Sequence, residues 1–181
     1  MPASAAARAK RSLSALAVHS GEGAGMSAIL AIDPGTEQSG WCVFEDGAVV
    51  LSGVYPNRAL LVFIVEWKRP RMTLAIEMIA SYGMAVGKEV FETCVWVGRF
   101  QQAWRDPDAV RLVYRRDVKL HLCGNARAKD ANIRQALIDK IGQQGTKKEQ
   151  GPTYGVKSHA WAALAVAVTA SEALAAVGVV A

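Results

Sequence analysis

Cysteine, histidine and acid are all scarce in this chain of 181 residues, which has three Cys, three His and 16 Asp plus Glu. Cys42, Cys94 and Cys123 lie far apart, with no metal-ligand spacing and no paired pattern. That argues against a zinc module or a disulfide scaffold and fits buried thiols in a reducing compartment. No apolar run is both long and free of polar residues. The nearest, 160–181, is rich in Ala and Val but carries Thr169, Ser171 and Glu172, so it reads as a core helix rather than a membrane span. Near the N-terminus, Leu13 to Val18 is too short and interrupted for a signal-peptide core. No internal repeat is visible.

What is present is enough apolar material for one core: 51% of the residues are hydrophobic, and a chain of this length is most simply one domain. The net charge of +5 favours an anionic partner. The charge is concentrated. Eight basic residues (Arg105, Arg111, Arg115, Arg116, Lys119, Arg127, Lys129 and Arg134) face four acids over 105–134. Solvated helix faces and a phosphate-binding surface both account for this run. Residues 1–25 differ from the rest, being mostly Ala, Ser, Gly and basic residues with Glu22 as the one acid. They are expected to be a disordered extension or a start-site artefact, with Met26 opening a folded domain over 26–181. An organelle transit peptide is the other reading.

Two short runs carry the chemistry. Ile29-Leu30-Ala31-Ile32 is an apolar strand that ends in Asp33, and Pro34-Gly35 forces a turn directly after it. Thr73-Leu74-Ala75-Ile76 is a second apolar strand, and it delivers Glu77. An acid in a buried strand needs a partner or a metal. Two strands that each deliver one carboxylate suggest a site for a hard cation, since Mg²⁺ is held by one or two carboxylates plus substrate phosphates.

The order of elements follows from periodicity and turn signals. Strands are expected at 28–33, 40–45 and 48–54, with Asp46-Gly47 as the hairpin turn between the last two. A helix at 58–68 follows, then a strand at 73–77, a long helix at 88–104 and a strand at 110–114. Two helices close the chain, at 130–141 and 158–177, with a Gly/Gln/Lys-rich loop between them. This is an α/β pattern: a five-stranded mixed sheet, its first three strands antiparallel, with helices on both faces. The first strand is then central and the fourth pairs beside it, which makes Asp33 and Glu77 neighbours. That order is the one of the ribonuclease H-like fold.

At these residues the chain resembles the RuvC-like Holliday junction resolvases. The resemblance is carried by Asp33-Pro34-Gly35-Thr36 with Ser39-Gly40-Trp41, and by Ala75-Ile76-Glu77-Met78. It continues in Val118-Lys119 with Gly124 and Lys129, and in His159-Ala160-Trp161-Ala162-Ala163-Leu164-Ala165. It covers about residues 28 to 170 and implies a nuclease using Mg²⁺ or Mn²⁺, with two ions, acting as a homodimer on four-way junctions or other branched DNA in recombination and repair. It also implies a cytoplasmic protein, bacterial or phage-encoded, with no membrane association. Asp33 and Glu77 match the family's first two ligands. His159 matches the first of a pair placed three residues apart on the last helix, and the second falls on Ala162, which cannot bind metal.

The expected catalytic set is therefore Asp33, Glu77 and His159, with His159 as ligand or general base. Ser158 is expected to cap the last helix, whose macrodipole would favour a neutral imidazole at His159. Asp130, Glu37 and Glu149 are candidates for the missing acid, although Asp130 also reads as the N-cap of its helix. Lys119, Lys129 and Arg134 are expected to contact phosphates. Tyr82 is placed either as a base-stacking residue or as an ordinary surface side chain, while His19 and His121 read as structural. The helix at 88–104 carries more apolar residues than one face needs, which offers a dimer interface or further burial. Two rivals stand beside the nuclease: a junction-binding relative weakened by loss of the fourth ligand, and a phosphotransferase of the sugar-kinase type. The latter is disfavoured by length and by the lack of a second phosphate-binding Gly/Thr motif.

Overall fold

The computed structural model describes residues 28–66, 71–83 and 85–178; the expected extension over 1–25, the start at Met26 and His19 lie outside them. Five strands, β1 (Ala28–Asp33), β2 (Gln38–Glu45), β3 (Ala48–Pro56), β4 (Met72–Met78) and β5 (Arg111–Tyr114), form one sheet in the order β3-β2-β1-β4-β5. β1 runs antiparallel to β2 and parallel to β4, with Ile32 opposite Trp41 on one side and Ile76 on the other. β4 is parallel to β5, and β2 is antiparallel to β3. The β2–β3 turn places Asp46 and Gly47 both at positive φ, 50° and 80°, the backbone that a tight two-residue hairpin requires.

Helices α1 (Asn57–Glu66) and α2 (Lys88–Ala103) cover one face, and α3 (Arg115–Cys123), α4 (Asp130–Ile141) and α5 (Ala160–Gly178) cover the other. The central strand is therefore buried on both sides, which explains its unbroken apolar run. Leu30 and Ile32 pack with Leu60, Phe63, Val97 and Phe100. Ile29 and Ala31 pack with Leu137, Ala163, Leu164 and Ala167. The small residues of α5 bring its axis close to the sheet. Its segment Ala160–Val177 is long and apolar enough to cross a membrane, yet its first three turns are core: residues 163–170 are all buried.

The structure departs from the sequence expectation mainly at two places. Helix α3 has no counterpart among the expected elements. Its nine residues open on Arg-Arg-Asp and hold only one buried side chain, Val118, so no apolar stripe announces it. It ends on Gly124 at φ 63°, whose N–H donates to the Leu120 carbonyl, a glycine helix stop. The last helix begins at Ala160 rather than Ser158, because Ser158 has φ 46° and is not its cap. His121 serves structure, as expected: it lies 2.7 Å from Glu172, which also accepts from Lys140 at 2.6 Å, tying α3 and α4 to α5. Cys42 is fully buried and burial pushes its thiol far up, whereas Cys94 and Cys123 are only half-buried.

Candidate active site

The turn after Asp33 is held by a buried polar relay. Asn57, at the start of α1, donates through Nδ2 to the Gly35 carbonyl at 2.8 Å and accepts through Oδ1 from Ser39 Oγ at 2.6 Å. Ser39 Oγ in turn accepts from the Gly35 N–H at 3.3 Å. Both side chains are buried, so each lost partner costs the desolvation of a buried polar group, about 1–3 kcal/mol. Asn57→Ala is accordingly expected to lower stability by about 2 kcal/mol and to loosen the Asp33 turn. Chemical denaturation of both proteins, read as a shift in midpoint at constant slope, checks it.

Gly40 pairs with Asp33 in the β1–β2 register, and a Cβ there would overlap the backbone carbonyl and Cβ of His159. Glycine at this position lets the chain entering α5 lie directly against β2. His159, immediately before α5, thereby brings Nδ1 to 3.1 Å from Asp33 Oδ2. The imidazole is 58% exposed while the Asp33 side chain is 15% exposed, so the histidine stands at the mouth of the site and the aspartate at its floor.

Glu77, near the end of β4, is buried beside Asp33. Its Oε1 accepts from Arg115 Nη1 at 2.8 Å, and Oε2 is buried with no partner. Arg115, the first residue of α3, donates its other nitrogen Nη2 to Asp130 Oδ1 at 2.6 Å. Burial works against the Arg115 charge, but Glu77 and Asp130 hold its guanidinium further up. Burial, together with the Glu77 carboxylate within hydrogen-bonding reach, pushes the Asp33 carboxyl up to about 8; Arg115 opposes the rise and Asp130 adds to it. Two acids thus crowd the floor of the cleft with one guanidinium to offset them, and without a further cation Asp33 keeps its proton.

That donor chemistry fits a hard cation. Asp33 and Glu77 offer oxygen ligands, one of the Glu77 oxygens is buried without a donor, and a Mg²⁺ site asks for only one or two protein carboxylates. Among the described residues, no three His, Cys, Asp or Glu side chains are grouped so that together they could hold a metal ion. Of the candidate acids, Asp130 is engaged by Arg115, and its side chain is 78% exposed. Nor does it cap its helix: Lys129 precedes α4, and its N–H donates to Asn132 Oδ1 at 2.9 Å. Ala162 lines the same cleft, so the position where the resemblance expects an acid faces the site without charge. Glu37 and Glu149 are not among the cleft's lining residues.

The cleft, about 390 Å³, is also lined by Arg134 and Trp161. Arg134 lies over the Trp161 ring at 4.8 Å and donates to Gln144 at 3.1 Å, which fixes a cation at the rim. Lys129 instead lines a neighbouring groove with Arg127 and Asn132, and Lys119 is half-buried on α3 and lines neither. Tyr82 is 56% exposed at positive φ, 47°, with Arg116 6.0 Å from its ring. Sequence reasoning missed Arg115, Ser39 and Asn57 as parts of the site. The signal for Arg115 was its place directly after β5, the strand parallel to β4, where a side chain lies level with Glu77.

A five-stranded mixed sheet in this order, covered on both faces and with its acids at the tips of adjacent parallel strands, is a ribonuclease H-like fold. Among solved structures the chain is similar to Thermus thermophilus RuvC. The match to RuvC in complex with a Holliday junction substrate has a TM-score of 0.59 at 17% identity, covering 80% of this chain and 93% of that one. A second RuvC structure from the same organism matches at TM-score 0.58, with the same identity and coverage. No protein-family model matches the chain, and no curated protein matches it.

Proposed function

We propose that this chain is a divalent-metal-dependent endonuclease of the RuvC type that cuts phosphodiesters in branched DNA, four-way junctions above all, in recombination and repair. The observation that carries the reading is that Asp33 and Glu77 directly follow the paired residues Ile32 and Ile76 on adjacent parallel strands, with one buried Glu77 oxygen left without a donor. The RuvC-like fold and the basic rim support it, as does the capture of a Holliday junction by the similar Thermus protein.

Asp33 and Glu77 would hold Mg²⁺ or Mn²⁺. A bound ion of this kind lowers the pKa of attacking water and stabilises the departing oxygen. In the tautomer whose Nδ1–H donates to Asp33, His159 carries its lone pair on Nε2, at the exposed mouth of the cleft. It would take the proton from the attacking water, with Asp33 orienting its ring. Arg134, at the cleft, would neutralise a flanking phosphate, and Lys129, in its own groove, and Lys119 on α3 would hold further phosphates, contacts that position DNA without reading sequence. Tyr82 lies on the loop after β4, where an unpaired base at a branch point would stack. Symmetric cutting needs two sites, so we propose a homodimer; the exposed Phe91 and Val95, one turn apart on α2, offer the apolar surface.

Ala162 favours a second reading, a junction-binding protein with weakened catalysis. Labelled synthetic four-way junctions incubated with Mg²⁺ or Mn²⁺ separate the two. The nuclease reading expects nicks that EDTA abolishes. Tight binding without nicks in either metal would select the second reading.

A further inference from the structure

Resting on the metal-dependent reading above, we infer that the centre takes a single divalent ion and that Arg115 supplies the positive charge a second ion would otherwise bring. Glu77 divides its two oxygens: Oε1 is committed to Arg115 at 2.8 Å, and Oε2 is bare and buried. The guanidinium also captures Asp130 at 2.6 Å, the acid in the cleft best placed to serve another ion. Ala162 also lines the cleft and brings no carboxylate to it. Arg115, by holding both acids, and Ala162, by lacking one, therefore deny ligands to a second cation, and Arg115 is itself a cation.

Charge balance gives the same answer. Asp33, Glu77 and Asp130 bring three negative charges when ionised, and Arg115 cancels one of them. One divalent ion neutralises the remainder. A second would leave the cleft with an excess of two positive charges, of which one scissile phosphate cancels only half. Two divalent ions a few ångströms apart in a partly buried site repel strongly, so the second has neither ligands nor charge to hold it. Arg115 acts here through Glu77 and Asp130, as a positioning residue and fixed countercharge. Its planar fork suits the task, since it reaches both carboxylates at once.

The test counts ions on the full chain without DNA, by Mn²⁺ electron paramagnetic resonance and by calorimetric titration with MnCl₂ at neutral pH. Wild type is expected to take one Mn²⁺ per chain at saturation, and Asp33→Asn to take none. Arg115→Gln is expected to bind that ion roughly tenfold more tightly, because a nearby positive charge has gone, whereas Arg115→Lys keeps the charge and stays near wild-type affinity. The lysine variant and the wild-type count carry the test if Arg115→Gln folds poorly. Two Mn²⁺ per wild-type chain would overturn the inference and leave the metal-dependent reading standing. An unchanged affinity in folded Arg115→Gln would remove Arg115 from the charge balance. No Mn²⁺ bound by wild type would instead sink the metal centre itself.

Discussion

Asp33→Asn is expected to abolish cleavage of branched DNA while leaving junction binding largely intact, and to make the metal-free protein more stable at neutral pH. The two effects share a cause. Asp33 is largely buried beside Glu77, and its carboxyl is pushed up to about 8 by burial and by that neighbour. Between the ordinary carboxylate range and this raised value, the unfolded chain carries the Asp33 charge while the folded chain keeps the proton. The folded state therefore binds more protons, and stability falls as pH rises through that window, by up to about 1.4 kcal/mol per pH unit. The contribution is fully present below the unfolded pKa and lost as pH passes the folded one. Asparagine keeps the shape and removes the penalty, which is on the order of a few kcal/mol at pH 7.5. Thermal unfolding in EDTA from pH 4.5 to 8.5 should show wild-type Tm sloping down and a clearly shallower slope in the Asp33→Asn protein. Mg²⁺ should raise the wild-type Tm and leave the variant unmoved. Equal pH slopes in the two proteins would contradict the raised Asp33 carboxyl.

The second large effect is expected at a residue with no chemistry of its own. Gly40→Ala places a methyl group where the His159 carbonyl and Cβ now lie, and neither is the flexible end of a side chain. Either β2 or the segment entering α5 has to move, at a cost of about 1–3 kcal/mol for overpacking. Because His159 is the residue displaced, its contact with Asp33 opens as well. Cleavage is expected to fall at least a hundredfold, the usual scale for losing a positioned acid or base, while a junction still binds. His159→Ala should lose as much activity with little loss of stability. If Gly40→Ala cuts at the wild-type rate, the approach of His159 to the sheet has no bearing on catalysis.

The two acids on their strands were legible in the sequence for a simple reason: a lone carboxylate inside an apolar run is conspicuous, and strand order makes the two runs adjacent. The hairpin at Asp46-Gly47 and the helix limits Asp130–Ile141 were equally plain, because turn chemistry and a glycine stop are local signals. What escaped was non-local. Arg115 meets Glu77 across 38 positions and starts a short helix without an apolar face, so its place directly after β5 was the one cue and periodicity gave none. Asn57 reads as the opening of a helix, and only the fold brings it back to Gly35 and Ser39. Asp130 looked like a cap or a ligand because its helix position was visible and its cationic partner was not. Gly40 belongs to the same class: its lack of a side chain matters only because a segment 119 positions later lies against it.

The most direct measurement is single-turnover cleavage of a labelled four-way junction, set beside a linear duplex of the same sequence, by wild type and by Glu77→Gln. The account predicts Mg²⁺- or Mn²⁺-dependent nicks near the branch point of the junction, little or no cutting of the duplex, and loss of cutting in Glu77→Gln despite junction affinity close to wild type. Wild-type cleavage that persists in EDTA, or a Glu77→Gln protein that cuts at the wild-type rate, would contradict it.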